Sequence, residues 1–193
     1  MQSLDELLKE AEIAHGHLCA GQVLGVRMAM HGLEKLGLDD PKGAHRKRIV
    51  TFVEIDRCAT DAIGVVTGCR LGKRALKFRD WGKMAATFVD VETGRAVRIA
   101  AKESSKQKAR ELHPEIEHKN QQQMAAYREM PESDLFDVQW VEVTLLPEDM
   151  PGFKADRIVC ARCGEGINFN REVRREGETL CRGCAGERYY TPL

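Results

Sequence analysis

Apolar residues in the first part of the chain recur at the three-to-four spacing of an α-helix, and later segments switch to the alternation of strands. Leu4, Leu7, Leu8, Ala11 and Ala14 predict a first helix, opened by a capping box in which Ser3 and Glu6 can bond each other's backbone. Val23, Leu24, Val26, Met30 and Leu33 predict a second helix that stops near Gly37. Gly21, Gly25 and Ala29, four apart, give it a smooth stripe against which another backbone can pack. After a connection rich in Lys and Arg, the β-branched run Ile49–Ile55 reads as a buried central strand. Residues 56–68 read as a turn into a helix of three turns or fewer, with Gly68 as its stop. Met84–Val91 and Arg95–Ile99 flank the turn at Asp90–Gly94 and predict a hairpin. Residues 101–129 are polar and helix-favouring, with a break at His113-Pro114, and Leu135–Leu145 predicts a last strand. Pro147 and Pro151-Gly152 mark a linker. Strands interleaved with helices imply an α/β or α+β sandwich. Its sheet is mixed, because a hairpin is antiparallel while a strand–helix–strand unit favours parallel pairing.

A chain of 193 residues has room for one ordinary domain and a small appendage, here expected over residues 1–150 and 151–193. Lys plus Arg equals Asp plus Glu at 30 each, so no net field draws the chain toward nucleic acid or an anionic membrane. The opening Met1-Gln-Ser-Leu-Asp-Glu lacks the basic and apolar regions of a signal peptide, and no apolar run approaches a membrane span. The expectation is a soluble cytoplasmic protein without membrane or nucleic-acid partners. In that setting the seven cysteines, odd in number, read as reduced, metal-binding thiols and not as a disulfide framework.

Four of them carry a strong signal. Cys160-Ala-Arg-Cys163 and Cys181-Arg-Gly-Cys184 are two C-x-x-C pairs with seventeen residues between them. Two intervening residues let a turn aim both thiolates at one cation, and the longer segment is enough for a hairpin that returns the chain to it. Zinc is the expected ion. Four thiolates fill a tetrahedron and leave no position for substrate, so this site should stabilise a unit too small to bury a sufficient core.

The remaining cysteines lie near histidines in the larger unit. His15, His17 and Cys19 fall within five residues, between helices, where they can converge on one ion or one substrate group. Cys58 stands at a helix start beside Arg57, a setting that should favour its thiolate. Asp61, one turn into that helix, can orient a His ring or cap free amides. Cys69 reads as structural, because the helix between it and Cys58 separates the two by about 15 Å, beyond disulfide reach. A lone Cys before a helix also fits a small buried hydrophobe, and His-x-His a polar loop. The functional alternative is a three-ligand metal site with an open position, from His17, Cys19 and Cys58, with His15 as alternate ligand.

The strings Ala14-His-Gly-His-Leu-Cys-Ala-Gly-Gln-Val-Leu-Gly-Val-Arg27, Glu54-Ile-Asp-Arg-Cys-Ala-Thr-Asp-Ala-Ile63, Thr67-Gly-Cys-Arg-Leu-Gly-Lys73 and Phe78-Arg-Asp-Trp-Gly-Lys83, in this order, resemble the FmdE-like family, named for formylmethanofuran dehydrogenase. The C-terminal cysteines resemble the zinc-finger extension of many members, so the similarity covers nearly the whole chain. One departure is Ala20, where the family commonly has proline. The resemblance implies an α+β, thioredoxin-like core with a mixed five-stranded sheet flanked by helices, followed by a treble-clef zinc finger. It implies an active site of His15, His17, Cys19 and Cys58 that can hold a second zinc. Asp61 and Lys83 lie on matching motif positions as supporting groups; Lys83 can bind a carboxylate or phosphate or be a solvated surface lysine. The family name comes from association with a molybdenum or tungsten enzyme, and this chain has neither metal-pterin nor cluster-binding elements. It cannot be that oxidoreductase by itself.

Three functions follow. The first is a metal-binding accessory protein of one-carbon or redox metabolism, attached to a complex related to formylmethanofuran dehydrogenase. The second is a zinc-finger module that docks to protein or nucleic acid, although Arg162, Arg171, Arg174, Arg175 and Arg182 are nearly balanced by Glu165, Glu172, Glu176 and Glu178. The third is a free enzyme with Cys58 as nucleophile and His15 or His17 as base. Whether the chain is an enzyme stays open. The small-residue stripe of the second helix makes a homodimer a further expectation.

Overall fold

The computed structural model describes residues 1–193, and they fall into two compact units, Met1–Thr144 and Leu145–Leu193. In the first, α1 (Leu4–His15) begins with the full capping box: the Glu6 amide donates to Ser3 Oγ at 3.3 Å and the Ser3 amide to Glu6 Oε2 at 2.8 Å. Its Leu7, Leu8 and Ala11 are buried. Gly16 and Gly37, both with positive φ, end α1 and α2 (Ala20–Leu36) in left-handed caps, and Gly68 does the same for α3 (Cys58–Thr67).

Five strands form the sheet: β1 (Ile49–Val53), β2 (Leu76–Phe78), β3 (Ala85–Asp90), β4 (Ala96–Ala101) and β5 (Phe136–Val141). Their order is β2-β1-β3-β4-β5, with β1 and β2 parallel and joined through α3, and every other pair antiparallel. The sheet is therefore mixed, and a parallel crossover followed by an antiparallel hairpin is the thioredoxin-like arrangement. Between β4 and β5 lie α4 (Ser105–Leu112), α5 (Lys119–Glu129) and the one-turn α6 (Glu132–Leu135).

The core joins Val23, Val26 and Leu33 of α2 to Ile49 and Val53 of β1, Phe88 of β3 and Val97 and Ile99 of β4. Gly32 makes this contact possible, because a Cβ there would stand 2.2 Å from Phe88 Cδ2. The stripe on α2 has a different partner from the one a dimer would require. A Cβ on Gly25 would lie 2.5 Å from the Ala59 carbonyl oxygen, so this face of α2 packs directly on the backbone of α3 within the chain. It gives no support to a homodimer.

Two elements differ from the sequence expectation. The last strand is Phe136–Val141, shorter than Leu135–Leu145, because its partner begins at Ala96, which pairs with Val141; Leu135 closes α6 and is buried. The three-residue β2 was not anticipated, and it exists through its parallel pairing with Thr51–Val53. No helix is long and apolar enough to cross a membrane.

The second unit has two hairpins, β6 (Ile158–Val159) with β7 (Gly166–Ile167) and β8 (Val173–Arg175) with β9 (Glu178–Leu180). Its buried core is only Cys160, Ile167 and Leu180. Such a core is too small to order some fifty residues without a cross-link or a metal.

Candidate metal centres

In the C-terminal unit the four sulfurs are brought together by the two hairpins. Cys160 follows β6, Cys163 lies in the turn to β7, Cys181 follows β9 and Cys184 sits in the closing turn. All four donor atoms lie within 4.8 Å of one another, and Cys163 Sγ is 3.9 Å from Cys181 Sγ. A tetrahedron with Zn–S bonds of about 2.3 Å has S···S edges of roughly 3.8 Å, so the spacing is that of a zinc site. It is nearly twice a disulfide bond, and all seven cysteines are free. The Cys181 amide donates to Cys160 Sγ at 3.2 Å and the Cys184 amide to Cys181 Sγ at 3.3 Å. Amide donors from Cys163 and then Cys181 pull the Cys160 thiol down to about 6. At Cys163 the Glu165 amide lowers the pKa, but burial and the thiols of Cys160, Cys184 and Cys181 outweigh it and push it up to about 12. Such a cluster does not ionise fully on its own. A divalent cation removes that obstacle, so the donor set fits zinc. Arg188 Nη2 lies 3.6 Å from Cys184 Sγ and supplies a further donor to the thiolates.

The N-terminal cluster is built where three helix ends meet. His15 is the last residue of α1, Gly16 turns the chain at φ 93°, and Cys19 is the N-cap of α2. The donor atoms of His15, His17 and Cys19 lie within 4.8 Å of one another, and the two imidazole rings are 4.8 Å apart. Cys58, the first residue of α3, lies across Gly21 from Cys19 but outside that close trio of donors. A Cβ on Gly21 would sit 3.4 Å from Cys58 Cβ and 3.7 Å from Cys19 Sγ. Asp61 Oδ2 lies 2.8 Å from His15 Nδ1, and α3 has no side-chain cap, so the carboxylate meets an imidazole and not an amide. A His15 ring that donates from Nδ1 to Asp61 would leave its Nε2 lone pair for a metal.

The surroundings of Cys58 work against the expected thiolate. Burial first, and then the contact with Cys19, raise its pKa, and Arg57 only partly offsets them. Two thiols facing each other in a half-buried site resist ionising together, and a shared cation lifts that resistance. Two imidazoles and two thiols are donors suited to zinc.

Lys83 stands apart. It is exposed, with Nζ 5.8 Å from the centroid of the Trp81 ring, and its partner is that ring, not a side chain of the cluster. The Trp81 and Lys83 amides both donate to the Glu54 carbonyl, at 3.2 and 3.1 Å, which ties their loop to the end of β1 from which the chain leads to Cys58. Cys69 is buried beneath β1: Thr51 Oγ1 donates to its Sγ at 3.5 Å, its Sγ donates to the Ile49 carbonyl at 3.5 Å, and burial raises its pKa. One contact at the cluster had no counterpart in the sequence pattern. The Ala20 amide, next to Cys19, donates to Asn120 Oδ1 at 3.0 Å.

An α+β domain carrying a His/Cys cluster, followed by a four-cysteine zinc finger, defines a zinc-finger protein with a second candidate metal centre. Residues 14–137 match the model of FmdE, described as "Molybdenum formylmethanofuran dehydrogenase operon", and residues 156–190 match the prokaryotic dksA/traR C4-type zinc finger. The chain belongs to the FmdE family. A relative from Archaeoglobus fulgidus, described as a probable S-adenosyl-L-methionine-binding protein, is 33% identical over 96% of this chain. The aligned part is 54% of that relative, so the chain spans about half its length. The crystal structure of a tungsten formylmethanofuran dehydrogenase FmdE-like protein from Syntrophus aciditrophicus shares the fold, with a TM-score of 0.65. The match is 21% identical and covers 98% of this chain and 96% of that one.

Proposed function

We propose that this FmdE-family protein is a metal-binding accessory protein of one-carbon metabolism. In this reading the N-terminal unit holds a zinc ion through His17, Cys19 and Cys58, with His15 as alternate ligand, and the finger's zinc is structural. The observation that carries it is the convergence of His15, His17 and Cys19 donors within 4.8 Å, with Cys58 beside Cys19 and His15 braced by Asp61 at 2.8 Å. That support belongs to His15, the alternate ligand, since a carboxylate on the outer nitrogen of an imidazole is the usual brace of a metal-binding histidine. Three protein donors leave one position of a tetrahedron open, and an ion there supplies Lewis-acid chemistry toward a thiolate, carboxylate or carbonyl. The one-carbon setting is supported by the family's operon description and by the S-adenosyl-L-methionine named for the Archaeoglobus relative. A complex related to formylmethanofuran dehydrogenase is the partner this setting suggests. Seven free cysteines fit a reducing compartment such as the cytoplasm.

The metal-free alternative, Cys58 as nucleophile with His15 or His17 as base, is weakened by the upward shift of the Cys58 thiol. A nucleic-acid role for the finger gains little, since Arg162 is committed to Glu178 at 2.8 Å.

Metal analysis of the purified chain tests the reading. Two zinc ions per chain are expected. Cys58→Ser should leave one, and Cys160→Ser should remove the other. A chain with a single zinc that Cys58→Ser leaves in place would refute the N-terminal centre.

A further inference from the structure

The thiol that α2 contributes to the N-terminal cluster sits at a position normally given to a capping side chain. As N-cap, residue 19 would ordinarily be Ser, Thr, Asp or Asn, whose oxygen accepts from the first free amides of the helix. Cys19 makes no such side-chain bond, which leaves its sulfur free to face Cys58. Its carbonyl accepts from the Gln22 and Val23 amides at 3.0 and 3.2 Å. The Ala20 amide is left over, and Ala20 is buried. Asn120, from α5, supplies the missing acceptor at 3.0 Å.

Asn120 is held in place from both sides. Gln122 Nε2 donates to the carbonyls of His113 and Ile116 at 2.9 and 3.1 Å, which closes the loop leading into α5. Two turns along α2, Arg27 Nη1 donates to the carbonyls of Tyr127 and Met130 at 2.9 and 2.6 Å, which fastens the other end of α5. Ala20 faces Asn120 and Arg27 faces Tyr127, so α5 lies alongside α2 in the same direction.

We propose that Asn120 is a positioning residue of the N-terminal metal centre: it takes the first amide of α2, which a capping side chain at residue 19 would not reach, and so fixes the backbone from which the Cys19 thiolate is presented. The proposal rests on the reading of that cluster as a metal site. Metal ligands must be placed to within about 0.2 Å, and supporting residues of this kind typically contribute 10–100-fold to affinity. Asn120 acts only through the Ala20 amide. Proline at residue 20 has no amide to offer; the first turn of a helix accepts its φ, but its Cδ would point at Asn120 Oδ1.

The test is zinc affinity of the full chain by competition with a chelator, with the finger's zinc as internal reference. Asn120→Ala should weaken the N-terminal site 10–100-fold, while Asn120→Asp, which keeps an acceptor oxygen, should stay within a few-fold of wild type. Ala20→Pro deletes the donor and aims its ring Cδ at Asn120 Oδ1, so it should weaken the site about as Asn120→Ala does, and adding Asn120→Ala to it should cost nothing more. Wild-type affinity in Asn120→Ala, or a further tenfold loss in the double variant over Ala20→Pro, would overturn the proposal. A second readout uses the zinc-free chain, in which the rate of Cys19 alkylation is followed by mass spectrometry. It should change several-fold in Asn120→Ala and not between Ala20→Pro and the double variant; an unchanged rate in Asn120→Ala overturns the positioning role. A wild-type chain that takes up no second zinc would refute the metal reading, and the alkylation measurement would still decide on Asn120.

Discussion

Gly25→Ala is the sharpest probe of how α2 and α3 set the N-terminal centre. The added methyl would lie 2.5 Å from the Ala59 carbonyl oxygen, 2.8 Å from Ala59 Cα and 2.9 Å from Ala62 Cβ. Two of these are backbone atoms of α3 and cannot swing aside. Ordinary contact begins at 3.4 Å, so the helices must part by about 0.9 Å at this point. Alanine in a helix interior gains about 0.8–1.0 kcal/mol over glycine, whereas overpacking costs about 1–3 kcal/mol. The net change is a loss of about 0–2 kcal/mol, a fall in Tm of roughly 0–8 °C for a chain of this size. The site should suffer more than the fold. Cys19 and Cys58 project from the N-terminal ends of these two helices, and a shift of most of an ångström is several times the tolerance of a metal–ligand distance, about 0.2 Å. Thermal unfolding and metal analysis of one preparation give both numbers. Zinc should fall from two to one per chain, the remaining ion belonging to the finger. A Gly25→Ala chain that keeps two zinc ions and an unchanged Tm would refute the inference that this close approach positions the two thiols.

Other consequences can be measured independently. Arg27→Met leaves the Tyr127 and Met130 carbonyls without their donor and removes the ion pair to Glu132, so urea unfolding should show a loss of about 2–3 kcal/mol; a change under about 0.5 kcal/mol would show that α5 is held by packing alone. The carboxylates of Glu115 first and then Glu129 raise the His113 pKa above 6.5. A raised folded-state value means stability that is fully present below the unfolded pKa and lost as pH rises through the folded one. The stability difference between wild type and His113→Gln should therefore shrink from acid to alkaline pH, and a constant difference would refute the assignment. Cys160→Ser should unfold the finger, seen as rapid proteolysis within residues 145–193; a finger that stays protease-resistant without its zinc would contradict a metal-dependent core. Arg188→Met should speed zinc transfer from the finger to a chelator several-fold, and an unaltered rate would deny the Cys184 contact any role in retention.

What could be read in advance was the chemistry that acts over a few residues. The Ser3/Glu6 box, the stops at Gly37 and Gly68 and the turn at Asp90–Gly94 are local devices, and the finger is written in the spacing of its cysteines. Elements that depend on a partner were harder. β2 has too few residues for a pattern of its own, and Val143 and Leu145 continue an alternation after the neighbouring strand has ended. At the N-terminal cluster His15, His17 and Cys19 are neighbours in sequence. That Asp61 would meet His15, and that Cys19 would abut Cys58, depends on α1, α2 and α3 packing together. The helix dipole and Arg57 suggested an acidic Cys58, but burial and the opposing thiol, invisible along the chain, weigh more. Asn120 had no signal at all, standing 100 residues from the amide it caps.

Cys69 adds a practical consequence. Its sulfur is sealed under β1 at 3% exposure, so a reagent reaches it only when that strand and α3 come apart. The chain thus carries its own gauge of transient opening. Under excess alkylating agent, the rate at which mass is added at Cys69 reports the free energy of opening the first unit under native conditions. Compared with and without added zinc, that rate would tell how strongly an ion bound among three helix ends braces a strand it does not touch.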